Sequence, residues 1–228
     1  AKFITGIIAG SLCENNKVGF VADYPISGTV ANINAFALGV QMVNPNAKVY
    51  LEWSKVKGSN PKKRFEELDV HYISYIDIVP ANASREFGLF CIRDGKIRNL
   101  AMSVYNWGAF YEKIVSAILA GNWKEDEKLD EKKAVSYWWG MSAGVVDVIC
   151  SAHLPKGTIR LADLMKDLIK NGKVSPFYGK IISQKDVVAD NMNSELDIQD
   201  ILNMTWLNDN IVGTIPKPDE IQDDAQDI

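Results

Sequence analysis

With 228 residues, 47% of them hydrophobic, the chain can bury one large core or two modest lobes. A formal charge of −4 and the lack of any long Lys/Arg run argue against a nucleic-acid partner, and Lys62-Lys63-Arg64 reads as the solvated first turn of a helix. No stretch reaches the roughly 18 to 20 apolar residues that a bilayer demands. The three cysteines, Cys13, Cys91 and Cys150, stand too far apart for a zinc site or a disulfide framework; they read as small buried hydrophobes, in keeping with a reducing compartment.

The opening AKFITGIIAGSL has an apolar run, a lone Lys and no cleavage pattern, so it reads as structure and not as a signal peptide. Without an initiator Met, it is expected to begin a processed or excised piece. Phe3, Ile7, Ile8 and Leu12 form one helical stripe, which Asn15-Asn16 ends. Val18 to Ala22 is an apolar strand, and Asp23-Tyr24-Pro25 interrupts it. Val30, Ile33, Ala37 and Val40 recur at helical spacing. Asn44-Pro45-Asn46 stops that helix, and Val49, Tyr50, Leu51 and Trp53 start a second strand. This is a βαβ unit, the building block of parallel sheets. Ligands in such sheets sit at the carboxyl ends of strands, where Asp23 and Tyr24 lie.

Asn60 is an expected N-cap with Pro61 at the first helical position. Tyr72 to Ile76 reads as a strand, Asp77 to Pro80 as a loop, and Ala81 to Phe87 as a short helix closed by Gly88. Leu89 to Ile92 is a strand, Arg93 to Asn99 a charged turn, and Leu100 to Tyr105 a further strand. Strands alternating with helices predict a three-layer α/β lobe. Gly108 to Ala120 is an amphipathic helix with Phe110, Ile114, Ala117 and Ile118 on one face and Gly121 as its stop. Lys124 to Lys133 is a charged loop, and Val135 to Ile149 is apolar, either strand or hairpin. Leu161 to Leu168 marks a helix that ends at Asn171-Gly172, and Phe177 to Ile182 a strand. Ser194 to Asp197 has capping-box spacing before a helix that should reach Met204. The acidic tail from Pro216 is expected to fray.

Little of this chain reads as catalytic. His71 and His153 lack partners at metal-ligand spacing, so no metal and no cofactor is expected. Gly140-Met141-Ser142-Ala143-Gly144 matches G-x-S-x-G, but the residues after it are β-prone and only His153 lies downstream. A Gly-rich turn is therefore preferred to a hydrolase using Ser142. Aromatic and amide residues gather instead at strand ends: Tyr105-Asn106-Trp107 and Tyr137-Trp138-Trp139-Gly140. Rings stack on planar solutes, and Asn and Asp give directional hydrogen bonds. Asp23, Tyr24, Asp77, Asn82, Asp94, Tyr105, Asn106, Trp107 and Trp139 are the expected ligand-binding residues.

The segments FITGIIAGSL, KVGFVADYPI, INAFALGVQMVNPNAKVYLEW, VYNWGAFYEKIVSAILAGNWK, YWWGMSAGVVDV and MTWLNDNIVGTIP together resemble the basic membrane protein (Bmp) family. Its members are substrate-binding lipoproteins of ABC importers and include purine nucleoside receptors. The resemblance implies a type I periplasmic-binding-protein fold, in which three-layer, parallel-sheet α/β lobes hold a solute between them. It implies a non-enzymatic protein with a nucleoside-like small molecule and an ABC permease as partners. It also implies a place at the outer face of the cytoplasmic membrane. By this resemblance residues 1–17 end an amino-terminal lobe that is otherwise largely missing, to be supplied by a partner chain or an absent segment. Residues 18–107 form the second lobe, 108–134 a crossover helix and charged loop, 135–215 the remaining lobe and hinge elements, and 216–228 an acidic tail. The turn Arg93-Asp94-Gly95-Lys96 has one Asp where relatives are Asp-rich, and Tyr105 stands where they carry Trp. Both changes bear on which solute is held. The alternative is a ligand-sensing domain of a larger intracellular regulatory protein.

Overall fold

The computed structural model describes residues 1–80, 84–121 and 139–222, with the backbone alone for 189–195. Its first helix, α1 (Lys2–Leu12), has a single charged side chain, Lys2, and eight of its eleven residues are buried. After β1 (Lys17–Ala22), helix α2 (Thr29–Val43) runs back against α1. The two backbones touch because small residues face each other. A Cβ on Gly10 would stand 2.8 Å from the Val40 carbonyl oxygen, and one on Gly6 or Gly39 would collide with the carbonyl of Phe36 or Phe3. Helix α1 shares one core with β1 and α2: Ile4, Ile8, Val18, Phe36 and Val40 pack in the same cluster.

The chain continues through β2 (Lys48–Trp53), α3 (Pro61–Glu67), β3 (Tyr72–Ser74), β4 (Leu89–Arg93), β5 (Lys96–Tyr105), α4 (Trp107–Leu119), β6 (Val146–Cys150) and α5 (Lys156–Lys170). It then forms a hairpin of β7 (Tyr178–Ile182) and β8 (Val187–Glu195), the short helix α6 (Ile198–Leu202) and β9 (Ile211–Val212). Seven strands make the main sheet, in the order β6-β5-β4-β3-β1-β2-β9. Helices α1, α2 and α5 cover one face. On the other, Phe65 of α3 and the adjoining Val70 pack against Val21, Ile73 and Phe90. The expected three layers are present, and Asn60 caps α3 by accepting the Lys63 N–H at 3.1 Å.

The sheet differs from expectation in one half. β3, β1, β2 and β9 are parallel, but β4, β5 and β6 run antiparallel. For β4 and β5 the cause is the link between them. The expected seven-residue charged turn is two residues, Asp94 and Gly95, at φ 53° and 68°. Positive φ at both central positions is the geometry of a tight hairpin, so β5 must return beside β4 with no crossover helix.

Other expectations shift by smaller amounts. Residues 84–87 are not helical, and 81–83 lie outside the described residues, as does the charged loop. Within Val135 to Ile149, β6 begins only at Val146. Ser194 lies in β8, and Asp197 caps α6 by accepting the Asp200 N–H at 2.8 Å. The start of the acidic tail is docked where fraying was expected: Lys57 N–H donates to the Glu220 carbonyl and Gln222 N–H to that of Lys55, both at 2.9 Å.

Strand β9 reaches the sheet through a buried amide ladder. The Asn34 side chain on α2 donates to the Trp206 carbonyl at 2.8 Å and accepts from Asn208 N–H at 2.9 Å. Asn208 donates to Asn210 at 2.7 Å, and Asn210 donates to the Ala37 carbonyl at 2.9 Å. Each buried amide finds a partner, as burial of a polar group requires.

Candidate ligand-binding site

Strand register fixes which residues share the carboxyl edge of β1 and β3. Phe20 pairs with Ser74, Ser74 with Leu89, and Leu89 with Ala101. The start of β4 and the end of β5 therefore lie beside the ends of β1 and β3. Asp23, Tyr24, Asp77, Tyr105, Asn106 and Trp107 follow those ends and occupy this edge. Asp94 does not join them. Its hairpin pairs Arg93 with Lys96 at the opposite edge, because β4 already runs antiparallel to β3. Asn82 lies outside the described residues, as do Tyr137 and Trp138.

The edge is not one pocket. β5 and β1 are three strand spacings apart, about 14 Å of sheet. Near β1, Asp23 is engaged by its neighbours: its carboxylate accepts from the Tyr75 hydroxyl at 3.0 Å and from the Ser54 hydroxyl. Burial first, and the Asp23 charge second, push the Tyr75 phenol above its ordinary range. Tyr24 stands beside this pair, with the Lys55 ammonium 6.0 Å from its ring centre.

Toward β5 and β6 lies a cavity of about 360 Å³ lined by Lys2, Asn32, Asp77, Ser103, Tyr105 and Trp139, among others. It joins three of the expected residues, Asp77, Tyr105 and Trp139. Lys2, absent from the sequence reading, forms its floor. The Lys2 ammonium lies 3.0 Å from Asp77 Oδ2 and donates to the Tyr75 carbonyl at 2.8 Å and to Ser74 Oγ at 3.3 Å. Both charged side chains are nearly enclosed, with 10% and 16% exposure. Burial pulls the ammonium below its ordinary range, and Asp77 partly restores it. Asp77 Oδ1 accepts the Ser103 N–H at 3.1 Å. One signal could have exposed Lys2: it is the lone charge in an otherwise apolar helix, and such a charge must either reach water or find a partner.

The rim is aromatic. Tyr105 and Trp107 stack with centroids 5.7 Å apart and planes 24° apart. Phe110 stands edge-on to Trp107 at 5.8 Å and to Trp139 at 5.5 Å. Tyr105 and Trp107 remain 60% and 57% exposed, so each ring keeps a large open surface. The Asn106 side chain is spent on capping α4, accepting the Ala109 N–H at 3.2 Å. An apolar, aromatic wall above a charge-balanced polar floor suits a flat solute with hydrogen-bonding edges.

The Gly140-to-Gly144 segment is a turn that leads into β6, whereas a nucleophile elbow leads into a helix. Among the described residues no group of three or more His, Cys, Asp or Glu could hold a metal ion. Nor is any described helix long and apolar enough to cross a membrane.

Residues 1–61 match a family model, Bmp, described as ABC transporter substrate-binding protein PnrA-like. The resemblance to Bmp holds. Two relatives extend it. A purine-binding protein of Brucella abortus (strain 2308) is 24% identical over 220 residues, 90% of this chain and 60% of that protein. A Haloferax volcanii protein named as an ABC transporter glucose-binding protein is 27% identical over 158 residues, 63% of this chain and 38% of that one. The chain thus spans less than two thirds of the length of either. An ABC transporter solute-binding protein from Conexibacter woesei superposes with a TM-score of 0.52 at 14% identity, covering 76% of this chain and 61% of its own. A transcriptional activator of the comK gene from Bacillus halodurans gives the same TM-score and identity, with 77% and 63% coverage. At such identity these two likenesses are of fold alone. The fold shared with them is an α/β lobe in three layers, and the Bmp family that residues 1–61 resemble is described as one of substrate-binding proteins.

Proposed function

We propose that this protein binds a small neutral solute, a purine nucleoside or a related molecule, for an ABC-type importer, and holds it at the carboxyl edge of the sheet. The observation that carries this reading is the cavity where Asp77 and Lys2 meet the rings of Tyr105 and Trp139. Bmp-like sequence in residues 1–61 supports a transport role, and the names of the two relatives supply the solute chemistries, a purine and a sugar. A nucleoside combines both. On this reading the rings stack on the base and the polar floor meets its hydrogen-bonding edge. The solute is gripped between two lobes, and the closed form engages the permease outside the cytoplasmic membrane.

Native mass spectrometry of the intact protein, purified without added ligand, tests the proposal. A co-purifying nucleoside, nucleobase or sugar is expected. An empty protein that also fails to bind adenosine, guanosine, inosine and glucose in titration calorimetry would overturn it. Trp107→Ala should weaken nucleoside binding by about 1–3 kcal/mol if its ring takes part in stacking, and an unchanged affinity in a folded variant removes Trp107 from the site.

A further inference from the structure

Ser103 is one of two residues in the described structure with a fully buried side-chain oxygen and no hydrogen-bond partner, the other being Ser59. Ser103 itself is 6% exposed. Its position makes the orphan meaningful. Ser103 and Tyr105 alternate on β5 and so face the same side of the sheet, and both line the cavity above Lys2. The nearest polar groups are already committed. Asp77 takes the Ser103 backbone N–H and the Lys2 ammonium, and Lys2 has three acceptors for its three N–H bonds. Neither Asp77 nor Lys2 is left to satisfy the hydroxyl, although a buried polar atom without a partner is destabilising.

We propose that the Ser103 hydroxyl, turned by rotation about χ1 from its enclosed position toward the cavity, is a ligand-contacting group, completed by a neutral hydrogen-bonding atom of the solute: a ring nitrogen, a carbonyl or a hydroxyl. This assignment rests on the solute-binding reading given above and adds to it a residue and a selectivity. The floor is electrically balanced, because the Lys2 charge is neutralised by Asp77 and its donors are occupied. An anionic group placed there finds the Lys2 ammonium already paired and meets the Asp77 carboxylate. The cavity therefore selects uncharged solutes over phosphorylated ones.

Two measurements on the intact protein test this. The first pairs calorimetric affinity for adenosine with thermal unfolding of the ligand-free protein, for wild type and Ser103→Ala. A ligand contact predicts about 3- to 10-fold weaker binding, with a melting temperature that is unchanged or higher because the orphan hydroxyl is gone. Unchanged affinity, or a lower melting temperature with unchanged affinity, overturns the assignment and marks Ser103 as structural. The second compares adenosine with adenosine 5′-monophosphate on the wild type. Weaker binding of the monophosphate is expected, and equal or tighter binding overturns the selectivity. A wild type that binds neither adenosine nor glucose fails at the earlier step and removes the solute-binding reading itself, whereas binding that ignores Ser103 removes only this inference.

Discussion

Helices α1 and α4 are close in length, 11 and 13 residues, and both are rich in apolar side chains, yet their fates are opposite. In α1 eight residues are buried; in α4 none is. The difference lies in the distribution of side chains. With only Lys2 charged, α1 has no face that water would accept, and it is stable only when surrounded. Glu112 and Lys113 give α4 a wettable side, while Trp107, Tyr111, Val115 and Leu119 remain 57%, 60%, 53% and 82% exposed. Apolar character around a whole helix dictates burial, whereas one apolar stripe states only that a face can be covered.

The sharpest way to break the comparison is to create a cavity under α1. Ile8 is fully enclosed in the main core, so Ile8→Ala should destabilise the protein by about 2–5 kcal/mol, read from urea denaturation. A loss below 1 kcal/mol would show that α1 is not the packed element described here. The next largest effect comes from the opposite fault, added volume. A methyl group at Gly39 meets the Phe3 carbonyl, which belongs to the α1 backbone and cannot rotate away. Gly39→Ala should cost about 1–3 kcal/mol by forcing the helices apart. The same substitution at Gly140, where nothing stands near the added carbon, is the matched control.

The contrast also marks what could be read from sequence. Local rules succeeded where the physics is local. Asn60-Pro61 announced the start of α3, and the apolar spacing of α2 announced its buried face. The Asp94-Gly95 turn was equally local, since Asp-Gly between apolar runs is a strong hairpin signal. Reading it as part of a longer loop hid the β4–β5 hairpin, while the edge on which Asp94 lies was set by the antiparallel pairing of β4 with β3. Other features were out of reach because they depend on distant pairing. β9 is two residues long and exists through its pairing with β2 and the amide ladder to α2, more than 150 residues away in sequence. The site divides in the same way. The aromatic residues at the end of β5 were legible as a cluster at an element end. That Asp23 and Asp77 would be held by Ser54, Tyr75 and Lys2 was not, because nothing in their neighbourhood names those partners.

The ends of α1 predict a graded pH response. Cys13, which follows the helix, has its thiol raised above the ordinary 9.0 by burial, and Lys2, which begins it, has its ammonium lowered from 10.5 by burial. A raised thiol holds its proton longer when folded than when unfolded, so its contribution to stability falls as pH rises through 9.0. The lowered ammonium does the reverse, since the unfolded chain binds more protons, and that contribution improves as pH approaches 10.5. Cys91 and Cys150 are raised by burial as well, so their contributions decline above pH 9 together with that of Cys13. Cys13→Ala should flatten the decline and Lys2→Met should steepen it. Chemical denaturation midpoints between pH 7 and pH 10.5 decide this, and identical slopes in all three proteins would contradict the burial of both ends.

The smallest expected effect is the most informative about α4. Leu119 is 82% exposed, so Leu119→Gln takes almost nothing out of a core and should change stability by no more than about 0.5 kcal/mol. The same logic covers Val115, one turn earlier on the stripe. These near-zero values are the counterpart of the large loss at Ile8, because the two helices differ in surroundings far more than in composition. A loss of 2 kcal/mol at Leu119 could not come from the contacts seen in this chain. It would mean that the stripe of α4 is covered in solution by a further surface, and the concentration dependence of the unfolding midpoint would then show whether that surface is another molecule.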